Sequence, residues 1–211
     1  MEQKVIIDAD PGIGDALAIL AALLDPQLDV LAVTATAGCV PARQATQNVQ
    51  AIIELLDPPK WPRLGEADAE LSRFIEDLHF ATASVADLNG PAGLGNCNFS
   101  GADLHNRRES TKLMIDVVRS HPDEVTLLTL GPLTNVEVAC ERAPDFMDLL
   151  GRLVCLGGSI SAGGDVTAAA EFNLYAHPAA ARHILLSPAT KTLVPLDVSH
   201  QAIFTFEHYN R

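Results

Sequence analysis

Short runs of aliphatic and β-branched residues alternate along the chain with longer stretches in which apolar residues recur every three or four positions. The first pattern predicts buried strands, and the second predicts helices that pack on a sheet. The predicted strands are residues 5–8, 30–34, 125–130, 153–156 and 192–196. The predicted helices are residues 15–24, 42–56, 110–119, 133–140 and 178–186.

This alternation is typical of an α/β fold, because parallel strands need helical crossovers between them. We therefore predict a Rossmann-like, doubly wound, mostly parallel sheet with helices on both faces, formed by residues 1–211 as a single domain. The proline-rich residues 57–62 fit a connection rather than a domain boundary. Residues 87–106 are rich in glycine and asparagine, which predicts a long loop of the kind that often binds ligands.

Composition narrows the classes of function. Of 211 residues, 48% are hydrophobic and 19% are charged, which indicates a packed core. The formal net charge of -13 disfavours nucleic acid and anionic membranes as partners. The four cysteines form no CxxC pair and are expected to be reduced, structural thiols. With neither a secretory signal nor an apolar run near the ~20 residues of a membrane helix, a cytoplasmic protein is expected.

The most informative segment follows the first predicted strand, where Asp8, Asp10 and Asp15 lie close together. In an open parallel sheet, ligands bind beyond the carboxyl ends of the strands, so these carboxylates are expected at that crevice. They repel one another unless a cation or shared protons neutralise them, and carboxylate oxygens are the ligands that Ca²⁺ and Mg²⁺ prefer. The segment therefore predicts metal or acid–base chemistry. The simpler alternative is that Asp10 or Asp15 caps a helix.

Two phosphate chemistries are alternatives for the same segment. A phosphate-binding loop is disfavoured because Gly12 and Gly14 lack the GxGxxG spacing and a P-loop lysine, and the carboxylates would repel phosphate. A strand that ends in Asp8 and Asp10 also resembles the nucleophile motif of haloacid dehalogenase-type phosphohydrolases, which use Mg²⁺ and an aspartyl-phosphate. Gly12 stands where that motif usually has Thr or Val, so this is the lesser alternative.

Residues 8–15, DADPGIGD, resemble the D-x-D-P-G-x-D-D signature of the inosine/uridine-preferring nucleoside hydrolases, which are calcium-dependent N-glycosidases. The resemblance implies that Asp10 and Asp15 bind Ca²⁺, and that Asp10 also takes the proton from the metal-bound water. Asp8 is assigned to the substrate-binding set. Gly14 departs from the signature, since the family has there an Asp that holds the ribose.

Two later segments extend the resemblance. Residues 131–135, GPLTN, match a family segment in which the preceding carbonyl binds calcium, which implies Leu130 in this chain. Residues 170–173, AEFN, are similar to a segment whose Glu and Asn bind ribose hydroxyls, which implies Glu171 and Asn173 as sugar contacts. Leu156 matches a position that lines the pocket. An ordinary strand-to-helix turn at GPLTN and a surface charge at Glu171 are the structural alternatives.

Other positions depart from the family where substrate is expected. Cys39 replaces an Asn, Asp165 replaces an Asn that contacts the 5′-hydroxyl, and Asn89 stands where many members have a His. Family members also extend beyond the position that matches Arg211 and carry a further His-Asp pair that is not found in this sequence, so weak calcium binding is expected. These departures leave open a family member that binds a nucleoside, a sugar or a partner protein without turnover.

The resemblance implies a function in nucleoside salvage. The chain is expected to hydrolyse the N-glycosidic bond of purine or pyrimidine ribonucleosides to ribose and a free base, with Ca²⁺ as cofactor. The expected partner is a small nucleoside or ribofuranoside, rather than nucleic acid or a membrane. A homo-oligomeric state is left open by the sequence.

Overall fold

The computed structural model describes residues 2–72, 88–95, 97, 108–203, 205 and 207. Within these ranges, seven strands form one sheet in the order β4-β3-β2-β1-β5-β6-β7, and every neighbouring pair is parallel. The strands are β1 (Gln3–Ala9), β2 (Leu28–Ala35), β3 (Arg63–Glu66), β4 (Arg108–Glu109), β5 (Val125–Thr129), β6 (Arg152–Leu156) and β7 (Lys191–Val194). The helices are α1 (Ile13–Leu24), α2 (Ala42–Leu56), α3 (Ser110–Ser120), α4 (Thr134–Arg142), α5 (Phe146–Leu149), α6 (Phe172–Ala176), α7 (Pro178–Leu186) and α8 (Leu196–Ser199), with a 3₁₀ turn at Ala69–Ser72.

Helices cover both faces of the sheet, because alternate residues of a strand point in opposite directions. Ile6 of β1 belongs to a buried cluster with Leu113 of α3 and Ile184 of α7. Its neighbour Ile7 belongs to a second cluster, which includes Ile19 of α1. Complete burial of each such side chain stabilises the fold by about 1.5–3 kcal/mol. The predicted doubly wound α/β architecture is confirmed.

The predicted elements all correspond to observed ones, with ends that differ by at most two residues. The predicted last strand includes Leu196, but in the structure this residue begins α8. The strand ends before Pro195 because proline has no N–H to donate to the sheet. The hydrophobic pattern predicts neither β3 nor β4, since both are short and largely polar. Of the predicted loop, residues 88 and 89 are helical, residues 90–95 form tight turns, and most of the remainder lies outside the described residues.

The cysteines are free thiols, and the lengths of the described helices are known. Cys39, Cys97, Cys140 and Cys155 are all unpaired, as expected for reduced thiols. In the part of the chain that the structure describes, no helix is long and apolar enough to cross a membrane. That the chain forms a single domain stays a prediction.

The strand order reverses at β1, which has β2, β3 and β4 on one side and β5, β6 and β7 on the other. Asp8 pairs with Thr34 of β2 and with Thr129 of β5, so the three strands end side by side. The connections on the two sides lead away in opposite directions, and this opens a crevice beyond the strand ends. Asp10 follows β1 and Leu130 follows β5, so the fold places both at this crevice.

Candidate active site

A cavity of about 300 Å³ lies in this crevice. Its wall includes seven residues that were predicted from the sequence: Asp10, Asp15, Leu130, Leu156, Asp165, Glu171 and Asn173. They come from the ends of β1, β5 and β6 and from the segments that follow, so the cavity depends on the parallel arrangement of the strands. Of the predicted site residues, Asp8 alone is not on the wall.

Asp10 is only 3% exposed and is enclosed by two glycines. Its Oδ2 atom accepts a hydrogen bond from the backbone N–H of Cys39 at 2.6 Å. A Cβ atom at Gly38 would lie 1.8 Å from Oδ2, and a Cβ atom at Gly131 would lie 2.4 Å from Oδ1. Both distances are far below van der Waals contact, so only glycine allows the loops after β2 and β5 to approach the carboxylate. Sequence analysis did not identify this role of the two glycines.

Asp15 lies in the first turn of α1 and also reaches the cavity. Its Oδ2 atom accepts a hydrogen bond from the backbone N–H of Gly12 at 3.0 Å. The carboxylate therefore stabilises the start of α1, as the simpler interpretation of the acidic segment predicts. A carboxylate has about four lone-pair sites, so this bond leaves Asp15 able to bind a second group from the cavity.

The pKa values of Asp10 and Asp15 are both raised, which favours the neutral form of each carboxyl. Burial raises the pKa of Asp10 well above its ordinary value, and the negative charge of Asp15 raises it further. Burial also raises the pKa of Asp15 to about 6. A cation beside the pair would favour the charged form of both groups. The electrostatics of Asp10 and Asp15 are thus those of a site that gains from binding a cation.

The donor atoms around this pair suit a hard divalent cation. Carboxylate oxygens of Asp10 and Asp15 and the Sγ atom of Cys39 lie within 4.8 Å of one another. The thiol is held protonated, since burial raises the pKa of Cys39 and its S–H group donates to the main-chain oxygen of Asp10. Leu130, whose carbonyl was predicted as a ligand, lies on the same wall. Carboxylate and carbonyl oxygens are the ligands of Ca²⁺ and Mg²⁺, so the donor set fits such an ion.

The Asp8 side chain is fully buried and bonds to protein groups. Its Oδ1 atom accepts hydrogen bonds from Thr34 Oγ1 at 2.8 Å and from Asn135 Nδ2 at 2.9 Å, whereas its Oδ2 atom has no partner among the described residues. Asn135 also donates to the carbonyl of Ala35, so this network joins β1, β2 and α4. Sequence analysis missed Thr34 and Asn135 as partners of Asp8. A substrate contact for Asp8 stays a prediction.

Glu171 is a buried helix cap on the cavity wall rather than a surface charge. Its Oε1 atom accepts from the backbone N–H of Asn173 at 2.9 Å. Its Oε2 atom accepts from the backbone N–H groups of Leu174 at 3.1 Å and Gly158 at 2.8 Å. Burial nevertheless raises the pKa of Glu171. These bonds fix the carboxylate at the start of α6, where it faces the same cavity as Asp10.

Asn173 lies on the cavity wall and links the end of β6 to the residue that follows β5. Its Nδ2 group donates to the carbonyl oxygen of Leu130 at 2.7 Å and to that of Leu156 at 3.0 Å. The side chain is 6% exposed, so both carbonyls depend on it in a site that is largely shielded from water. Asn173 therefore orients the Leu130 carbonyl that was predicted to bind metal.

Replacing Asn173 with Asp is expected to lower the free energy of unfolding by about 2 kcal/mol, because two buried carbonyls would lose their donor and face a carboxylate. Urea denaturation measures the change. Gln27→Glu makes the same amide-to-carboxylate change at an exposed position and is expected to have little effect. Equal stability of the wild type and Asn173→Asp would show that the two hydrogen bonds contribute nothing.

The positions that depart from the family pattern also lie around the cavity. Gly14, Cys39, Asn89 and Asp165 all line it. A Cβ atom at Gly14 would have no neighbour within 4 Å, so the wall is open at that point. Asn89 accepts a hydrogen bond from the backbone N–H of Ile13 at 3.0 Å, which joins the loop to the start of α1. These substitutions therefore change the surface that a substrate would meet.

The family model for inosine-uridine preferring nucleoside hydrolases matches residues 5–211. The chain is 34% identical over 206 residues to probable uridine nucleosidase 2 of Arabidopsis thaliana, covering 96% of this chain and 62% of that protein. It is 32% identical over 209 residues to the inosine-uridine preferring nucleoside hydrolase of Crithidia fasciculata, covering 97% of this chain and 64% of that protein.

Solved structures give the same assignment. A plant nucleoside hydrolase, PpNRh1, superposes with a TM-score of 0.81 at 32% identity, covering 100% of this chain and 65% of that chain. A purine-preferring ribonucleoside hydrolase from Gardnerella vaginalis superposes with a TM-score of 0.84 at 27% identity, covering 99% and 65%. The chain thus spans less than two thirds of the length of these relatives.

The family match includes the acidic segment and disfavours the phosphohydrolase alternative. The chain belongs to the inosine-uridine preferring nucleoside hydrolase family.

Proposed function

We propose that this chain hydrolyses the N-glycosidic bond of purine or pyrimidine ribonucleosides and releases ribose and a free base. The observation that carries the proposal is one cavity lined both by the Asp10–Asp15 pair, which follows β1, and by Glu171 and Asn173, which come after β6. The relatives named as uridine nucleosidase and inosine-uridine preferring nucleoside hydrolase support it. A cytoplasmic location stays a prediction from the sequence, and self-association stays open.

The proposed cofactor is Ca²⁺, held by Asp10, Asp15 and the carbonyl of Leu130. When bound, it supplies Lewis-acid polarisation of a water molecule. Asp10 and Asp15 provide the negative charge. Burial raises the pKa of both groups, and the charge of Asp15 raises that of Asp10 further, so a cation would offset the cost of ionising them. Two carboxylates and a carbonyl make up only part of the six to eight oxygens that Ca²⁺ takes, so we expect the affinity to be modest.

In the proposed reaction, Asp10 is the general base. A carboxylate must be charged to accept a proton, and a cation beside Asp10 would keep it charged. As Asp10 takes a proton from water, the water oxygen bonds to the anomeric carbon, and the electrons of the C–N bond pass to the leaving base. The sugar carries partial positive charge in this transition state. The carboxylates of Asp15, Asp165 and Glu171, which line the same cavity, favour that charge.

Sugar binding is proposed for the lining residues that come from the end of β6 and the segment after it. We propose that Glu171, Asn173 and Asp165 contact ribose hydroxyls, while Leu156 packs against an apolar part of the ligand. Glu171 and Asn173 are already oriented by hydrogen bonds to the backbone, which lowers the entropy cost of binding. None of the described wall residues is Lys, Arg or His, so the cavity favours neutral nucleosides over phosphorylated ones.

The test is release of ribose from uridine and inosine, measured with Ca²⁺ and with a chelator, beside hydrolysis of p-nitrophenyl phosphate. We expect ribose release that depends on the cation and no release of phosphate. Nucleoside binding without ribose release would contradict the proposal and identify a binding protein. Hydrolysis of the phosphate ester would instead support a phosphohydrolase.

Replacing Gly14 with Asp is expected to lower KM for uridine about tenfold, because a carboxylate at this open point of the wall would add a hydrogen bond to the sugar. Steady-state kinetics in saturating Ca²⁺ measure it. Position 14 lies in the first turn of α1, where an acidic residue also favours the helix. Gly14→Ala is the control, since it improves helix propensity without a carboxylate. Equal KM values in the two variants would contradict this prediction.

A further inference from the structure

The segment of residues 157–170, between β6 and α6, forms part of the cavity wall through Gly157 and Asp165. Little apolar packing holds its middle part in place, and the Ile160 side chain is 81% exposed. Loops of this kind stay ordered only where polar contacts compensate the loss of chain entropy. The position of Asp165 at the cavity therefore depends on the polar contacts that hold the backbone before it.

Asp197 of α8 provides that contact. Its Oδ2 atom accepts from the backbone N–H of Ile160 at 2.8 Å, and its Oδ1 atom accepts from the backbone N–H and the hydroxyl of Ser161 at 2.9 and 2.6 Å. The hydrogen bond from the Ser161 hydroxyl is the largest cause of the pKa of Asp197, which lies well below its ordinary value. The carboxylate is therefore charged, and its hydrogen bonds are charge-assisted. One carboxylate thus holds two successive residues of the segment.

Asp197 lies in α8, which follows the last strand, β7, and is linked to both of its neighbouring segments. The main-chain oxygen of Asp197 accepts from Gln201 Nε2 at 2.7 Å, and the neighbouring N–H of Leu196 donates to the carbonyl of Gly158 at 2.9 Å. Leu196 and Ser199 of the same helix lie on the cavity wall, whereas Asp197 does not. Its carboxylate is therefore directed to the segment and not to the cavity.

Beyond Ser161, the segment closes on itself. The N–H of Gly164 donates to the carbonyl of Ala168 at 3.2 Å, and that of Val166 donates to the carbonyl of Ala170 at 3.1 Å. A Cβ atom at Gly164 would lie 2.3 Å from the backbone of Ala170, so this turn is compact. Asp165 lies in a tight turn between two fixed points, which are the Asp197 contact and the start of α6.

We propose that Asp197 is a positioning residue for sugar binding, which fixes residues 160–161 and thereby places Asp165 at the cavity. The inference rests on the proposed ribonucleoside hydrolysis. Loss of the carboxylate would let the segment move, so the ligand would have to order it on binding. The expected consequence is weaker binding with little change in the chemical step, because Asp10 follows β1 and is not part of this segment.

The test compares the wild type with Asp197→Asn, which keeps the size of the side chain but places an amide against backbone N–H donors. Ser161→Ala removes one of the three bonds and is the milder variant. Asp148→Asn makes the same acid-to-amide change in α5, between β5 and β6, where the chain connects to the amino end of β6. Hydrogen–deuterium exchange of residues 159–165 and steady-state kinetics with uridine are measured, and thermal unfolding checks that each variant is folded.

We expect about tenfold faster exchange and about tenfold higher KM in Asp197→Asn, with kcat within about twofold, smaller changes in Ser161→Ala and none in Asp148→Asn. In an Asp165→Ala background, Asp197→Asn should no longer raise KM. Unchanged exchange, a fall in kcat at constant KM, or additive effects on KM would overturn the inference. Absence of turnover in the wild type would refute the proposed function alone, and exchange together with calorimetric binding of D-ribose would then decide the role of Asp197.

Discussion

Asp10→Asn is expected to lower kcat for uridine at least about a thousandfold, because one substitution removes both the proposed general base and a metal ligand. The amide keeps the shape of the side chain, so the enclosure by Gly38 and Gly131 should be preserved. A neutral group at this buried position also removes the electrostatic conflict with Asp15, and the variant should therefore fold at least as well as the wild type. Steady-state kinetics and urea denaturation measure the two effects.

Calcium binding gives the second readout of this substitution. Isothermal calorimetry should detect binding of Ca²⁺ to the wild type and to Asp148→Asn, and none to Asp10→Asn. Binding in the wild type is expected to be weaker than in a site with a third carboxylate, since affinity follows the charge and number of the ligands. Equal Ca²⁺ binding by the wild type and Asp10→Asn would mean that the acidic segment only caps α1, and the proposed mechanism would fail.

Asp8→Asn is expected to stabilise the protein above neutral pH. Burial raises the pKa of Asp8 from 3.8 to about 7, and the hydrogen bonds from Asn135 and Thr34 offset only part of this. Because the pKa of the folded state is the higher one, the stabilising contribution is complete below the unfolded pKa and is lost as the pH rises through 7. Three pKa units correspond to about 4 kcal/mol, of which about 2.5 kcal/mol falls between about pH 5 and 8.

The measurement is the difference in the free energy of unfolding between the wild type and Asp8→Asn, by urea denaturation in chelator across this pH range. Asp10 and Asp15 titrate in both proteins, so their contributions largely cancel in the difference. The wild type should lose stability relative to Asp8→Asn as the pH rises. Asp148→Asn, at an exposed site, should run parallel to the wild type. Parallel curves for Asp8→Asn would show that Asp8 is not held neutral by burial.

The sequence alone determined the order of the main strands and helices and the place of the chemistry along the chain. Both follow from local patterns, because a buried parallel strand is continuously apolar and a helix repeats every 3.6 residues. A run such as residues 5–7 followed by Asp8 and Asp10 therefore identifies a strand end and a site in one segment. The family resemblance, and not periodicity, implied Leu130 and Glu171, which the structure places after β5 and before α6.

The tertiary structure alone decided how these segments meet. Asn135 lies 127 residues from Asp8, and Asp197 lies 36 residues from Ser161, yet each pair is joined by hydrogen bonds. Such contacts depend on strand order and on the exact approach of loops, which periodicity does not encode. The tertiary structure also separated the three carboxylates of the acidic segment, which the sequence treats as one group. Asp10 and Asp15 line the cavity, whereas Asp8 is fully buried and does not. The physical reason is that the surroundings of each carboxylate, and not its residue type, determine whether it faces the cavity or is enclosed by protein groups.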